Sequence, residues 1–184
     1  MEKRFLFCKL SVFLILILAL ASLLCACGWG EVDTMDKDRR NANQKFQNIL
    51  EAVQKRDDST LRSLFSKESI QNTHNFDEKT GELFSYFQGD VESVNDWGGC
   101  YVETSKEDDN IYQVIEATYD VKTTEGVFRF AIQYISQDSS NPKNVGVNSL
   151  YVIRVEANEV LEYAYWGDGR FASGIHIDIP NEIG

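Results

Sequence analysis

Hydrophobic residues change their spacing once along this chain, from a helical period to the alternation typical of β-strands. The helical spacing i, i+3, i+4, i+7 is first met at Phe46, Ile49, Leu50 and Val53. It predicts an amphipathic helix with one apolar stripe. After about residue 90 the apolar residues alternate with polar ones, which predicts half-buried strands. The chain must therefore fold with helices first and a sheet afterwards.

Two further helices are predicted before the change of period. Residues 57–59 (Asp-Asp-Ser) supply a cap for a short helix that contains Leu61, Leu64 and Phe65. A third helix is predicted with Phe76 as a hydrophobic staple and Asp77 as the N-cap, and Gly89 is placed to end it.

Several strands are predicted in the second part of the chain. They cover residues 91–94, 100–104, 111–122, 127–136, 149–156, 160–166 and 175–179. Short links at residues 123–126 and 157–158 indicate hairpins. One face of the fourth strand must be buried, because it consists of Phe128, Phe130, Ile132 and Tyr134. Helices packed on one side of such strands make an α+β domain with a mostly antiparallel sheet.

The N-terminal segment has the order of parts found in secretory signals. Lys3, Arg4 and Lys9 precede an apolar run over residues 10–24. No second run approaches the ~20 residues of a membrane-spanning helix, which excludes a multi-span membrane protein. An uncleaved signal anchor is the alternative interpretation of this run.

The residues after the run, Leu24-Cys25-Ala26-Cys27-Gly28, resemble the bacterial lipobox. That resemblance implies that Cys27 receives a diacylglycerol thioether and becomes the N-terminus after cleavage. Cys25 competes for this role, but no small residue precedes it. The expected location is the extracytoplasmic face of a bacterial membrane, where two acyl chains hold a protein stably.

These interpretations divide the chain into a signal peptide (residues 1–26), a polar, flexible tether (residues 27–42) and an α+β domain (residues 43–184). Cleavage removes three of the 18 basic and one of the 29 acidic residues, which leaves 158 residues with a formal net charge of −13. Such an acidic chain does not favour nucleic-acid binding. After lipidation only Cys100 keeps a free thiol, so no intramolecular disulfide is expected.

The chain carries no catalytic or metal-binding signature. His74 and His176 are about a hundred residues apart, and neither CxxC nor HExxH spacing occurs. A solvated role for His74 and a surface or satisfied role for His176 are preferred. Glu116 is a candidate general base only if its strand face is concave, and solvent exposure is the preferred interpretation. We predict no catalytic residue, no metal site and no cofactor.

Aromatic residues give the best indication of a pocket. Trp97 precedes Gly98-Gly99 and Trp166 precedes Gly167, at strand ends where pockets open. Together with Tyr134 on the aromatic strand face, they are the candidate pocket-lining residues.

The layout resembles the NTF2-like (cystatin-like) superfamily, and within it the bacterial lipoproteins of the DUF5104 family. The resembling segments are FQNILEAVQKRDDSTLRSLFSKESI, LFSYFQGDVES, GVNSLYVI and GIHIDI. The resemblance implies N-terminal helices packed on a curved sheet, with a conical pocket between them. The resemblance does not decide the activity, because members of the superfamily include both enzymes and ligand-binding domains. Our leading hypothesis is a non-enzymatic domain that binds a small ligand or an envelope protein. The alternatives are an enzyme using a pocket carboxylate or tyrosine, and a homodimer paired through the sheet.

Overall fold

The structure, a computed structural model, describes residues 29–158 and 172–177. These described residues belong to two compact units, with the boundary between Lys37 and Asp38. Within the described ranges, no helix combines the length and hydropathy that crossing a membrane requires. Cys27 and the predicted signal peptide lie outside the described residues, as do Trp166 and the strand predicted over residues 160–166.

Helices come first and the sheet follows, as the change of period predicts. The helices before the sheet are α1 (Trp29–Lys55), α2 (Asp58–Leu64), α3 (Lys67–Asn72) and α4 (Phe76–Tyr86). The strands are β1 (Val91–Glu107), β2 (Asn110–Thr123), β3 (Gly126–Asp138), β4 (Gly146–Arg154) and β5 (Gly174–Ile177). A 3-10 turn (Pro142–Asn144) precedes β4, and α5 (Val155–Asn158) follows it.

The strands form one sheet in the order β1-β2-β3-β4-β5. The first three pairings are antiparallel, and β4 pairs with β5 in parallel. The predicted α+β class with a mostly antiparallel sheet is therefore confirmed.

The core lies between the helices and one side of the sheet, called here the helix-facing side and defined by Tyr119 and Phe130. The aromatic stripe of β3 belongs to it, with Phe128 and Phe130 0% exposed, Ile132 2% and Tyr134 5%. The predicted stripe of α1 supplies the other layer, at Phe46, Ile49, Leu50 and Val53. The opposite side, defined by Asp120 and Arg129, is called the outer face.

α1 begins earlier than the sequence pattern predicts. Residues 29–42 are helical, so the flexible coil predicted for residues 27–42 is wrong where the structure describes it. A segment without an apolar stripe can still extend an anchored helix, because propagation is far easier than nucleation. Residues from Met35 to Ala42 also include good helix formers, namely lysine, arginine and alanine.

The start of α4 also differs from the prediction. Its N-cap is Asn75, in the left-handed conformation with φ 61°, and Asp77 lies inside the first turn. Phe76 is the first helical residue and is buried, with its ring 4.9 Å from that of Phe65 in an edge-on contact. Asp77 instead pairs with Arg62 of α2.

Three smaller differences concern elements that lack a clear period. α3 was not predicted, and its N-cap is Ser66, whose hydroxyl accepts a hydrogen bond from the Ser69 amide at 2.9 Å. The two predicted strands at residues 91–94 and 100–104 are one strand, β1, whose pairing shifts between Asp96 and Cys100. Residues 157–158 belong to α5 and not to the predicted hairpin turn.

Candidate functional site

A groove of about 430 Å³ lies between α1, the end of α2 and the adjoining ends of β3 and β4. Helix α1 contributes one wall, the residues after α2 contribute another, and β3 contributes the floor. The lining residues are Asn41, Gln44, Lys45, Asn48, Ser63, Leu64, Phe65, Tyr134, Ile135, Ser136, Val145 and Gly146. We call this cavity the Tyr134 groove.

The α1 wall of the Tyr134 groove is polar because of helical periodicity. Asn41, Lys45 and Asn48 follow at i, i+4 and i+7, so they share one side of the helix. Gln44 lies beside them and donates a hydrogen bond from Nε2 to Asn48 Oδ1 at 3.0 Å. This bond uses one polar group of each amide, and the other donor and acceptor groups remain for a ligand.

The opposite wall depends on a close approach between the residues after α2 and the start of β4. The Ser66 amide donates to the Val147 carbonyl at 2.9 Å, and Phe65 forms an isolated parallel bridge with Val147. Gly146 has φ +137°, and a Cβ there would lie 2.7 Å from Ser66 N. Only glycine fits both the conformation and the space at this position. Gly146 therefore allows the residues after α2 to pack directly against the start of β4.

The floor of the groove includes Tyr134 of β3, which is 5% exposed. Its hydroxyl is buried and makes no hydrogen bond to the part of the chain that the structure describes. Lys45 Nζ lies 5.9 Å from the centre of its ring. Burial raises the pKa of the Tyr134 phenol well above its usual value. The phenol is therefore neutral and can act as a hydrogen-bond donor.

Next to Tyr134, the helix-facing side carries a second phenol and a thiol. Tyr119 donates from its hydroxyl to Asn43 Oδ1 of α1 at 2.9 Å, and burial raises its pKa. Cys100 on β1 is partly buried against the core. Burial, and then the nearby Asp38 carboxylate, raise the pKa of its thiol. A raised pKa keeps the thiol protonated at neutral pH, and only the thiolate is a strong nucleophile.

The predicted site residue Trp97 lies away from the groove, on the outer face. Its Nε1 donates to Asp120 Oδ2 at 2.9 Å, and the Arg129 guanidinium lies 3.8 Å from its ring centre. Arg129 binds Asp120 through two hydrogen bonds of 2.5 and 2.8 Å. The structure therefore separates Trp97 from Tyr134, with a buried ion pair beside the former.

The remaining titratable candidates do not meet at one place. His74 is exposed in the loop before α4. His176 stacks on Tyr151 with ring centres 4.3 Å apart and donates from Nε2 to the Ala172 carbonyl at 3.0 Å, which confirms its satisfied role. Glu116 lies on the outer face and accepts from Gln133 Nε2 at 2.9 Å. Within residues 29–158 and 172–177, no three potential metal ligands come together.

Comparison with known families identifies the chain. The family model described as "Domain of unknown function (DUF5104)" matches residues 48–155, which is more than half of the sequence. The chain belongs to the DUF5104 family. The matched segment extends from the second half of α1 through the four antiparallel strands. No curated protein matches the chain.

Of the predicted pocket residues within the DUF5104 segment, Tyr134 lines the groove and Trp97 does not. Three residues of the α1 wall of the groove precede the matched segment. Sequence reasoning missed these residues, Asn41, Gln44 and Lys45, together with Asn48. A signal for them exists, because they follow helical spacing on a side of α1 next to its apolar stripe. That signal does not by itself separate a groove wall from a solvated helix face.

Proposed function

We propose that this DUF5104 protein is a lipid-anchored lipoprotein on the extracytoplasmic face of a bacterial membrane, and that its NTF2-like domain binds a small polar ligand without catalysing a reaction. The observation that carries the binding proposal is the lining of the Tyr134 groove. Three amides, three hydroxyls and the ammonium group of Lys45 line it, beside apolar side chains such as Leu64 and Phe65. Such groups orient a ligand by hydrogen bonds, and they suit a sugar, an amino-acid derivative or a short peptide.

Support for the anchor comes from the lipobox-like segment, and charge bears on how a membrane-attached domain would be held. The domain is acidic, and anionic lipid headgroups repel an acidic surface. Attachment must then come from the lipid on Cys27. Support for the NTF2-like assignment comes from the position of the groove between helices and sheet, where the resemblance implies a pocket.

The enzymatic alternative has one observation in its favour, the buried hydroxyl of Tyr134, which has no hydrogen-bond partner among the residues that the structure describes. Its raised pKa argues against a role as general base, because a phenol that stays protonated cannot accept a proton at neutral pH. The described lining contains neither a carboxylate nor an imidazole that could assist it. Binding is therefore the better interpretation of the groove.

A homodimer paired through the outer face of the sheet is supported less well. Such a dimer needs an exposed apolar face. On the outer face, exposed rings occur only at Trp97, Tyr101 and Tyr112 of β1 and β2 among the described residues, while Ala131, Tyr151 and Ile153 on β3 and β4 are already buried within the single chain.

The anchor is tested by mass spectrometry of the protein extracted from membranes. We expect an N-terminal peptide that begins at Cys27 and carries a diacylglycerol group, and we expect Cys27→Ala to abolish both cleavage and modification. An unmodified peptide beginning at Met1 would contradict the proposal.

The groove is tested by NMR titration of the full mature chain in lipid nanodiscs with mixtures of sugars, amino-acid amides and dipeptides. Saturable shifts are expected at amides lining the groove. Gln44→Leu should weaken them. The matched control is Gln54→Leu, which replaces an exposed glutamine of the same helix that lies outside the groove. The binding proposal is wrong if no mixture gives saturable shifts, or if both variants respond alike.

A further inference from the structure

The second half of β1 forms a regular edge of the sheet. β1 is the first strand in the sheet order, and within the described residues it pairs only with β2. From Cys100 to Glu107 each residue has its partner on β2 without a register shift. The backbone groups on the other side of this stretch have no strand partner in the described ranges, so they offer hydrogen bonds to an added strand.

The outer face of this edge alternates aromatic rings and carboxylates. Tyr101 lies opposite Glu116, and Tyr112 lies opposite Ser105, with Glu103 between the two tyrosines on the ladder. Tyr101 is 61% exposed and Tyr112 is 37% exposed. Burial, and then the negative charges of Asp138, Glu103 and Glu116, raise the pKa of Tyr112. The ring therefore lies in a negative field.

The charge of this hairpin is strongly one-sided. Residues 101–116 contain five carboxylates and one amine, for a net charge of −4. The carboxylates are Glu103, Glu107, Asp108, Asp109 and Glu116. No ion pair joins any of them to a cation in the described part of the chain. Their field is therefore not cancelled locally.

We propose that this edge, residues 101–107 of β1 with the outer face of β2 beside it, binds an extended basic segment of a partner protein. The segment adds as a strand to β1. Its alternate lysine or arginine side chains lie beside Tyr101 and Glu103, where a ring and a carboxylate both attract a cation. This surface is distinct from the Tyr134 groove, so the inference is independent of the proposed ligand.

Charge decides between the occupants of such an edge. A second copy would bring its own acidic edge against this one, and like charges across a strand pair are destabilising. A membrane surface with anionic lipids is repelled. A basic segment is the partner whose charge complements the edge. Charged residues on an edge also prevent aggregation, and a purely protective role predicts that no peptide binds.

The experiment uses the full mature chain in nanodiscs of zwitterionic lipid. The probe is a fluorescent peptide of eight residues with alternating lysine and threonine, followed by anisotropy at low and high salt. Saturable binding that weakens with salt is expected, together with slower amide hydrogen exchange over residues 100–107. A peptide of the same sequence with N-methylated alternate residues keeps the charge but cannot pair with β1, and should not bind.

Two charge-matched double variants show whether the binding is local. Glu103→Gln with Glu107→Gln, two exposed residues on the outer face of β1, should weaken binding by about 5- to 10-fold, the loss of two exposed charge pairs. Glu68→Gln with Glu78→Gln removes the same charge from the helical part of the chain and should leave binding unchanged. The proposal is overturned if the two double variants lose affinity equally, or if the methylated peptide binds as well as the unmethylated one. It is also overturned if no peptide binds, or if light scattering shows self-association through β1.

Discussion

The ring of Phe46 on α1 lies face to face with the ring of Tyr119 on β2, with centres 3.9 Å apart and planes inclined by 6°. Phe130 meets the same Phe46 ring edge-on at 5.7 Å. The Tyr119 hydroxyl donates a hydrogen bond to Asn43, which lies one turn before Phe46 on α1. One aromatic contact therefore sets the position of the helix on the sheet, and with it the polar wall of the Tyr134 groove.

Replacing Phe46 by alanine should lower the free energy of unfolding by about 3–5 kcal/mol, because the side chain is fully buried. Tyr119→Phe keeps the ring stack and removes only the hydrogen bond to Asn43, so about 1 kcal/mol is expected. Urea unfolding followed by circular dichroism measures both. A smaller loss for Phe46→Ala than for Tyr119→Phe would show that the stack does not hold the helix.

Elements with a strong hydrophobic period could be predicted from the sequence, and the weakly patterned ones could not. The burial of the β3 face could be predicted, because Phe128, Phe130, Ile132 and Tyr134 are four large side chains on one strand face and are stable only when they are shielded from water. α3 has no such stripe and could not be predicted. Asp77 matches the sequence pattern of an N-cap, but the packing of Phe76 against Phe65 places the start of α4 before it. These outcomes depend on packing between segments, which no local pattern contains.

The candidate site was predictable only in part, for the same reason. Tyr134 was found because it lies on a patterned strand. Its groove neighbours on α1 are polar residues about ninety positions earlier in the chain. What brings them to the groove is the Phe46 contact and the close approach at Gly146. Trp97 was expected at a pocket because it precedes two glycines, but its indole instead covers Arg129.

Two glycine-to-alanine substitutions should have opposite effects. At Gly146 a Cβ would lie 2.7 Å from Ser66 N in a conformation that disfavours alanine, so Gly146→Ala should destabilise the protein by at least ~1–3 kcal/mol. At Gly81, inside α4, a Cβ meets nothing within 4 Å. Gly81→Ala should stabilise the protein by about 0.5–1 kcal/mol. Thermal unfolding measures both, and effects of the same sign would contradict the expectation.

Breaking the largely buried ion pair on the outer face should cost far more stability than breaking an exposed one. The side chains of Arg129 and Asp120 are 6% and 19% exposed. Asp120→Ala leaves a buried guanidinium without its carboxylate, so a loss of about 2–4 kcal/mol is expected. Adding Arg129→Met should recover much of this loss, because the buried charge that has lost the Asp120 carboxylate is then gone.

The control for this prediction is the exposed pair between Lys122 and Glu92, whose side chains are 61% and 44% exposed. Glu92→Ala should cost less than ~1 kcal/mol. Urea unfolding gives all the values, and Trp97 fluorescence should change in the Asp120 variant because the indole loses its acceptor. If Asp120→Ala costs no more than Glu92→Ala, then leaving the buried Arg129 guanidinium without Asp120 carries no extra cost, and the expectation is wrong.

The N-cap of α2 should make stability depend on pH in the acid range. Hydrogen bonds from the Thr60 side chain, the Thr60 amide and the Ser59 hydroxyl lower the pKa of Asp57 from 3.8 to about 2. Because the pKa is lower in the folded state, the contribution is complete above about pH 4 and is lost as the pH falls through about 2. Asp57→Asn keeps a capping side chain but cannot titrate. Asp57→Ala removes the cap at every pH and should lower the Tm at pH 7 by roughly 2–5 °C.

The measurement is the Tm of the three proteins at pH 7, 4 and 2. The difference between the natural protein and Asp57→Ala should shrink between pH 4 and pH 2, and the difference between Asp57→Asn and Asp57→Ala should not. This comparison isolates Asp57, because all other carboxylates are common to the three proteins and titrate in each of them. A difference from Asp57→Ala that stays constant down to pH 2 would mean that the Asp57 carboxylate is not the group that caps α2.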